Sequence, residues 1–464
     1  MIDPEAIAAR LPPGFLIGVA TAATQIEGAI HEGGRGESTW DVFARQPGRI
    51  ADGSTTEITT DHVHRFREDV ALLRDLGVDA YRFSLGWPRI LPDGRGPARA
   101  EGIAFYDRLL DALLEAGISP VVTLFHWDVP EPLQRAGGWM NRDTAYRLAD
   151  FATVAAEAFG DRVDKWITLN EPTTVSLNGY ALGIHAPGES LLFDSLTSVH
   201  HQLLGHGLSV TALRAAGVRG EIGVTNVHSP VSSARRGFLG DQYTRVFDLV
   251  HNRIYADPIL LGRYPRFPLL ARKEFRALRE TDPADLAIIH QPLDFYGVNY
   301  YMPTRIAVGP PEDSSTPDGE AEAMRDLPFH LAPWPEYPTT GFGWPIAPHF
   351  LADTLRDHTR RYGSALPPVY ITEGGASFPD APGPDGRVDD TERISYLAGH
   401  LNAALSVPEV DLRGYFVWTL MDNWEWAAGF TQRFGLVHVD FDSLVRTPKA
   451  SFEWLQRVQS SRMR

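Results

Sequence analysis

Eight times along the chain a short apolar run ends in a polar or aromatic tip, opens into a loop and hands over to an amphipathic helix. The runs are 15–20, 80–84, 120–125, 165–170, 221–226, 294–299, 368–372 and 414–420. Near-continuous apolar runs of this length suit strands covered on both faces, as in parallel sheets. Val63, Phe66, Val70, Leu73 and Leu76 space as one helix face that stops at Gly77, a favourable residue just past a helix end. Ile103, Tyr106, Leu110, Leu113 and Leu114 repeat the pattern before Gly117, and Tyr146, Phe151, Val154, Ala158 and Phe159 before Gly160. Later helices are expected at 195–216, 241–256, 347–362, 390–405 and 448–459. Parallel strands alternating with helices and joined right-handedly close most simply into a single (β/α)8, or TIM, barrel over residues 1–464. An open doubly wound sheet in two domains is the alternative, but no linker-like stretch divides the chain in the middle. Residues 305–340, rich in Pro, Gly and acidic side chains and without periodicity, read as a long loop on the face where the strands end.

Composition narrows the ligand. A net charge of −16 argues against nucleic acid, whose phosphates call for a basic face. An aromatic content of 11% fits a binder of neutral polar molecules, since ring faces stack on the C–H side of sugars. The absence of cysteine removes disulfides, thiolate metal sites and cysteine nucleophiles. No run of apolar residues is long enough for a membrane span, and Met1–Pro13 lacks the apolar core of a secretory signal, so a cytoplasmic protein is expected.

In a barrel of this kind chemistry gathers at the C-terminal strand ends. Those ends carry Arg82, then His126-Trp127-Asp128, Asn170-Glu171, Asn299-Tyr300-Tyr301, Thr372-Glu373 and Trp418, with Asp422-Asn423-Trp424-Glu425-Trp426 just beyond. Donors and acceptors beside stacking surfaces suit a polyol ring. Two glutamates have matching settings, Thr168-Leu-Asn-Glu-Pro172 and Ile371-Thr-Glu-Gly-Gly375. Pro172 is expected to keep Glu171 extended, and burial at a strand tip is expected to raise its pKa. A pair of carboxyls is the minimum equipment for cleaving a glycosidic bond.

These motifs, together with Phe15-Leu-Ile-Gly-Val-Ala-Thr-Ala-Ala-Thr-Gln-Ile-Glu-Gly28 and Arg446-Thr-Pro-Lys449, resemble glycoside hydrolase family one, the β-glucosidases and their relatives, nearly end to end. The resemblance implies Glu171 as acid/base and Glu373 as nucleophile, with Arg82 and Tyr301 touching the nucleophile. It implies that Gln25, His126, Asn170, Glu425 and Trp426 hold the first sugar over the Trp418 platform, with Trp344 walling the leaving-group side. Trp127, Asn299 and Phe434 complete the expected substrate-binding set. Carboxyls roughly 5–5.5 Å apart would attack directly and retain the anomeric configuration. Arg82 is expected to keep Glu373 ionised at neutral pH, and the charge on Glu373 to raise the pKa of Glu171.

No metal or cofactor is implied, and the expected partner is a small β-glycoside or short oligosaccharide. Relatives that take 6-phosphorylated sugars usually have Ser in place of Glu425, so a free hexoside is favoured. Galactosidase, fucosidase or transglycosidase preference, or a non-catalytic carbohydrate-binding relative, are the alternatives. One departure stands out: Gly374 follows Glu373 where the family usually has Asn, which leaves that turn freer.

Blander readings apply elsewhere. His62-Val-His64 reads as a solvated helix start rather than a metal site, and His200, His201 and His206 as helix-surface or core-edge residues. Arg360-Arg361 reads as a solvated helix face, and Gly33-Gly-Arg-Gly36 as a turn, because the phosphate-loop spacing is missing. Trp40, Trp139 and Trp166 read as packing, and Asp128 and Asp422 as supporting rather than catalytic acids.

Overall fold

The computed structural model describes residues 3–310, 323–325 and 327–462. Eight strands form the centre: β1 (Leu16–Ala20), β2 (Ala80–Ser84), β3 (Ser119–Phe125), β4 (Lys165–Asn170), β5 (Glu221–Val227), β6 (Phe295–Asn299), β7 (Val369–Gly374) and β8 (Leu412–Trp418). Each pairs in parallel with the next, and β8 pairs with β1, closing the barrel. The main helices around it are α1 (His62–Leu76), α2 (Ala100–Glu115), α3 (Asp143–Phe159), α4 (Leu196–Ala215), α5 (Phe238–Asp248), α6 (Ile254–Leu261), α7 (His349–Tyr362), α8 (Thr391–Ala404) and α9 (Ala450–Arg462). No helix among the described residues is long and apolar enough to cross a membrane.

Two apolar layers hold this arrangement. The outer one joins strand residues such as Val19, Tyr81 and Val224 to helix residues such as Leu73, Leu109 and Phe151. The inner one fills the barrel with Ala20, Ala80, Val121, Ile167, Phe295, Tyr370 and Phe416, and the same cluster continues into Trp418, Trp424, Trp426 and Phe434. Large rings fit inside because glycines face them. A Cβ on Gly18 would stand 2.4 Å from the Phe416 ring, and one on Gly223 would stand 2.5 Å from the Phe295 ring. Alternation of large and small residues fills a small barrel this way.

Several expectations need correction. Leu114 and Tyr146 were expected on buried faces, yet they are 43% and 41% exposed. The true faces of α2 and α3 include Phe105, Leu109, Ala145, Leu148, Ala152 and Ala155. Alanines let neighbouring elements approach closely, so the apolar stripe is broader than its large residues suggest. The helix expected at 241–256 is two helices, α5 and α6, joined by a π-turn at Leu249–Arg253 and ended by Gly262 at φ 64°. Within 305–340, Thr304–Val308 pairs antiparallel with Phe329–Leu331 and parallel with Val231–Ser233, so part of that stretch is sheet. Residues 311–322 and 326 of that expected loop lie outside the described residues. His62 is buried, with Nδ1 2.7 Å from Asp69 Oδ2, and is not a solvated helix start. His200 and His206 are buried too, against Asp285 and Thr168, whereas Arg360 and Arg361 lie on an exposed helix face as expected, Arg361 reaching from it to buried Asp257. His200 and His206 are taken inside by partners distant in sequence, which local spacing does not reveal, while His62 is held by Asp69 two turns along its own helix.

Candidate active site

The tips of β4 and β7 set the geometry. Glu171 follows β4 and starts the short helix Pro172–Thr174, with φ 46° and ψ 65°. The expected extended conformation is therefore overturned. A strand that reverses at once into a helix needs one left-handed residue, and tertiary bonding holds it there: Glu171 N donates to Thr225 O at 2.9 Å. Left-handed backbone at a non-glycine costs about 1–3 kcal/mol and gathers at functional sites. Glu373 lies inside β7, where the pairing register slips relative to both neighbours, between Ile371 and Glu373 on the β6 side and between Ile371 and Gly374 on the β8 side. Such bulges re-aim a side chain.

Both carboxyls line one cavity of about 190 Å³, together with His126, Trp127, Tyr301, Trp344, Trp418, Glu425, Trp426 and Phe434. Arg82 Nη1 donates to Glu373 Oε1 at 2.6 Å, and Tyr301 Oη donates to Glu373 Oε2 at 2.6 Å. Asn299 Nδ2 donates to Glu171 Oε1 at 2.7 Å, and Thr174 Oγ1 to Glu171 Oε2 at 2.7 Å. Asn299 Nδ2 also donates to Asn170 Oδ1 at 3.2 Å, which ties the Glu171 carboxyl to the Asn170–Arg82–Glu373 network. The orientation of the Asn299 amide is fixed, because Thr372 Oγ1 donates to Asn299 Oδ1 at 2.8 Å.

The surrounding amides are likewise oriented by what they touch. Asn170 Oδ1 accepts from Arg82 Nη2 at 2.6 Å and from Asn299 Nδ2 at 3.2 Å, which turns its Nδ2 toward His126 Nε2 at 3.0 Å. Burial, helped by the Arg82 charge, holds His126 well below the usual histidine range. The neutral ring then carries its proton on Nδ1, an atom with no protein partner among the described residues. Gln25 Nε2 donates to Glu425 Oε2 at 3.1 Å and to Trp424 O at 2.9 Å, leaving buried Gln25 Oε1 as an unpartnered acceptor. Buried polar atoms left bare inside a protein are rare, and beside a cavity they are ready for a ligand hydroxyl. Trp127 both lines the cavity and packs, its ring tilted 37° to that of Trp426 at 4.4 Å and its Nε1 donating to Asn170 O at 2.9 Å. Trp344 stacks on Phe342 at 4.7 Å.

The two acids differ in charge setting. Burial first, and then the charge of Glu373, push Glu171 up to about 8. Burial also raises Glu373, but there the Arg82 guanidinium and the Tyr301 hydroxyl pull back toward the ionised form. Glu425 is pushed up to about 8, chiefly by burial.

Every residue expected at the site is gathered in or against this cavity. Thr174, Asn178, His185, His228, His251 and Phe342 also line it and were not anticipated. Asn178 belongs to the π-helical segment Val175–Ala181 and His251 to the π-turn Leu249–Arg253, whose phase no helix periodicity predicts. Phe342, two residues before Trp344 in an aromatic stretch, was within reach of sequence reasoning. Asp128 accepts from Trp87 N at 3.0 Å, and Asp422 is bound to Lys449 and Arg433, so both are supporting residues. Trp40 packs behind the wall, 4.6 Å from Trp426.

Against known proteins, the family model for glycosyl hydrolase family 1 matches residues 7–463. Beta-glucosidase A of Acetivibrio thermocellus is 41% identical over 452 residues, 96% of this chain and 97% of that protein. A bifunctional beta-D-glucosidase/beta-D-fucosidase of Bifidobacterium breve is 42% identical over 460 residues, covering 96% of this chain and 97% of that one. Among solved structures, the psychrophilic beta-glucosidase of Micrococcus antarcticus superposes with a TM-score of 0.91 at 41% identity, over 99% of both chains.

Proposed function

Because the chain belongs to glycosyl hydrolase family 1, we propose that it is a retaining β-glucosidase in which Glu373 is the nucleophile and Glu171 the acid and base. The chain is a glycoside hydrolase whose substrate is a β-glycoside. Glu171, protonated below about pH 8, donates to the glycosidic oxygen as Glu373 attacks the anomeric carbon. Arg82 and Tyr301 hold the attacking carboxylate ionised and aimed. Once glycosylated, Glu373 is neutral, so its charge no longer adds to the burial that raises Glu171, and the Glu171 carboxylate left by the first step takes the proton of the attacking water. Water then attacks, and the β-configuration is restored.

The observation that carries this reading is the pairing at one cavity: both acids line it, Glu373 is hydrogen-bonded to the Arg82 guanidinium, and Glu171 has only the neutral donors Asn299 and Thr174. Gln25 Oε1, His126 Nδ1 and Glu425 supply acceptors and a donor for sugar hydroxyls, Trp418 the face beneath the ring, and Trp344 and Phe434 the aromatic wall toward the leaving group. Glu425 favours a free hexoside over a phosphorylated one. The natural substrate on this reading is a terminal β-D-glucosyl unit of a short saccharide such as cellobiose, cleaved by one catalytic domain spanning the chain. A sugar-binding relative without catalysis would be expected to have replaced one of the two acids, and both are present. Glu373→Gly should abolish turnover of an activated aryl β-glucoside and regain part of it with azide. A variant as active as the unmodified protein would refute the assignment.

A further inference from the structure

The nucleophile strand ends in Glu373-Gly374-Gly375, and neither glycine is there for an unusual φ, since neither has a positive one. Both are there for lack of room. A Cβ on Gly375 would meet Trp418 O at 1.8 Å, and a Cβ on Gly374 would meet Tyr415 Oη at 2.3 Å and Tyr415 Cζ at 2.9 Å. The space beside the backbone that follows the nucleophile is thus occupied by a phenol from the adjoining strand β8. That phenol is buried, and its hydroxyl has no hydrogen-bond partner among the described residues.

A buried hydroxyl without a partner is disfavoured relative to the phenyl ring that would fill the same place, so its retention needs a reason. Gly374 supplies one. Glycine has no side chain to wedge its own backbone and is the residue freest to shift, and it sits in the register slip that aims Glu373. From the other side the segment is confined by the Trp418 carbonyl. Glu373 is tied at its carbonyl, which accepts from Tyr300 N at 3.0 Å, and at its carboxylate by Arg82 and Tyr301. Beneath Gly374 the contact is the Tyr415 hydroxyl.

We propose that Tyr415 is a positioning residue whose hydroxyl props the Gly374 backbone and so fixes the reach of the Glu373 carboxylate toward the anomeric carbon. The proposal rests on Glu373 being the nucleophile. Tyr415 touches no substrate, so its removal acts on the rate of attack rather than on sugar binding, which Gln25 and Glu425 serve. Small displacements of a reacting group are costly in rate: about 1 Å can lose ~10²-fold.

The test is Tyr415→Phe, assayed beside the unmodified protein on para-nitrophenyl β-D-glucoside, with thermal unfolding of both. The expected result is a kcat lower by about tenfold or more, a KM within about twofold, and a melting temperature equal or higher because a bare polar group has gone. A kcat within about twofold of the unmodified protein overturns the proposal. So does a slower variant that melts lower or whose KM rises in step, since that is general loosening. A second variant, Gly374→Ala, should lose rate in the unmodified background and recover part of it when combined with Tyr415→Phe. Strictly independent losses also overturn the proposal. If the unmodified protein fails to cleave the glucoside, the functional reading fails first, and that result is distinct from any ratio between variants.

Discussion

At Glu171 the backbone turns left-handed immediately before a proline, and the carboxyl it carries is bonded to two neutral donors, Asn299 and Thr174. At Glu373 the same side chain meets a guanidinium and a phenol. With the proposed roles, that difference predicts a pH profile. The alkaline limb of kcat/KM should fall near pH 8 as Glu171 loses its proton. In Glu171→Gln that limb should vanish, with poor leaving groups no longer cleaved and activated aryl glycosides still forming the glycosyl-enzyme; equal losses on both substrates would contradict the role. Stability should respond as well. Folded Glu425 holds its proton up to about pH 8, against an ordinary value of 4.5. The folded state therefore binds more protons between those values, and the stability this group lends below pH 4.5 is lost as pH rises to about 8. Glu425→Gln should accordingly raise the melting temperature more at pH 8 than at pH 5; the same shift at both would show that this carboxyl is not buried in its neutral form.

The loop after β8 carries Glu425, Trp426 and Phe434, and buried charges clamp it at both ends. Lys449 Nζ lies 2.8 Å from Asp422 Oδ1 and 2.7 Å from Asp380 Oδ2, while Arg393 Nη1 donates to Phe434 O at 3.2 Å. Removing one partner of a buried pair strands the other, so Lys449→Met should destabilise the protein by roughly 3–5 kcal/mol and raise KM through the displaced loop. Denaturant unfolding and steady-state kinetics check the two effects. In the barrel itself, Gly18→Ala drives a methyl into the Phe416 ring and should cost about 1–3 kcal/mol, whereas at Gly53, with nothing near its Cβ but φ at 71°, any cost would come from the backbone alone.

These same elements show what local sequence can report. All eight barrel strands were legible because burial on both faces writes a continuous apolar run, and the two acids because each ends such a run. The phase of α2 and α3 was not, because alanines at Ala112, Ala145 and Ala152 share the buried face without marking it. Asp69, two turns after His62 on the same helix, binds both that ring and Arg446, and nothing near Arg446 announces a partner 377 residues away. The left-handed Glu171 was misjudged because the proline rule is local and the bond to Thr225 is not.

Across the whole molecule, a closed barrel brings two acids from its fourth and seventh strands to one cavity. The described residues contain no cluster of potential metal ligands, and a chelator should leave turnover unchanged; loss of activity that added metal restores would require a different mechanism. The central claim is that a sugar is transiently bonded to Glu373. It is tested by incubating the protein with a glucoside fluorinated beside the anomeric carbon, which slows release of the intermediate, and then mapping the adduct by peptide mass spectrometry. The account predicts one sugar per chain, carried on the peptide that contains Glu373 and released as activity returns. No adduct, or an adduct on any other side chain, would contradict it.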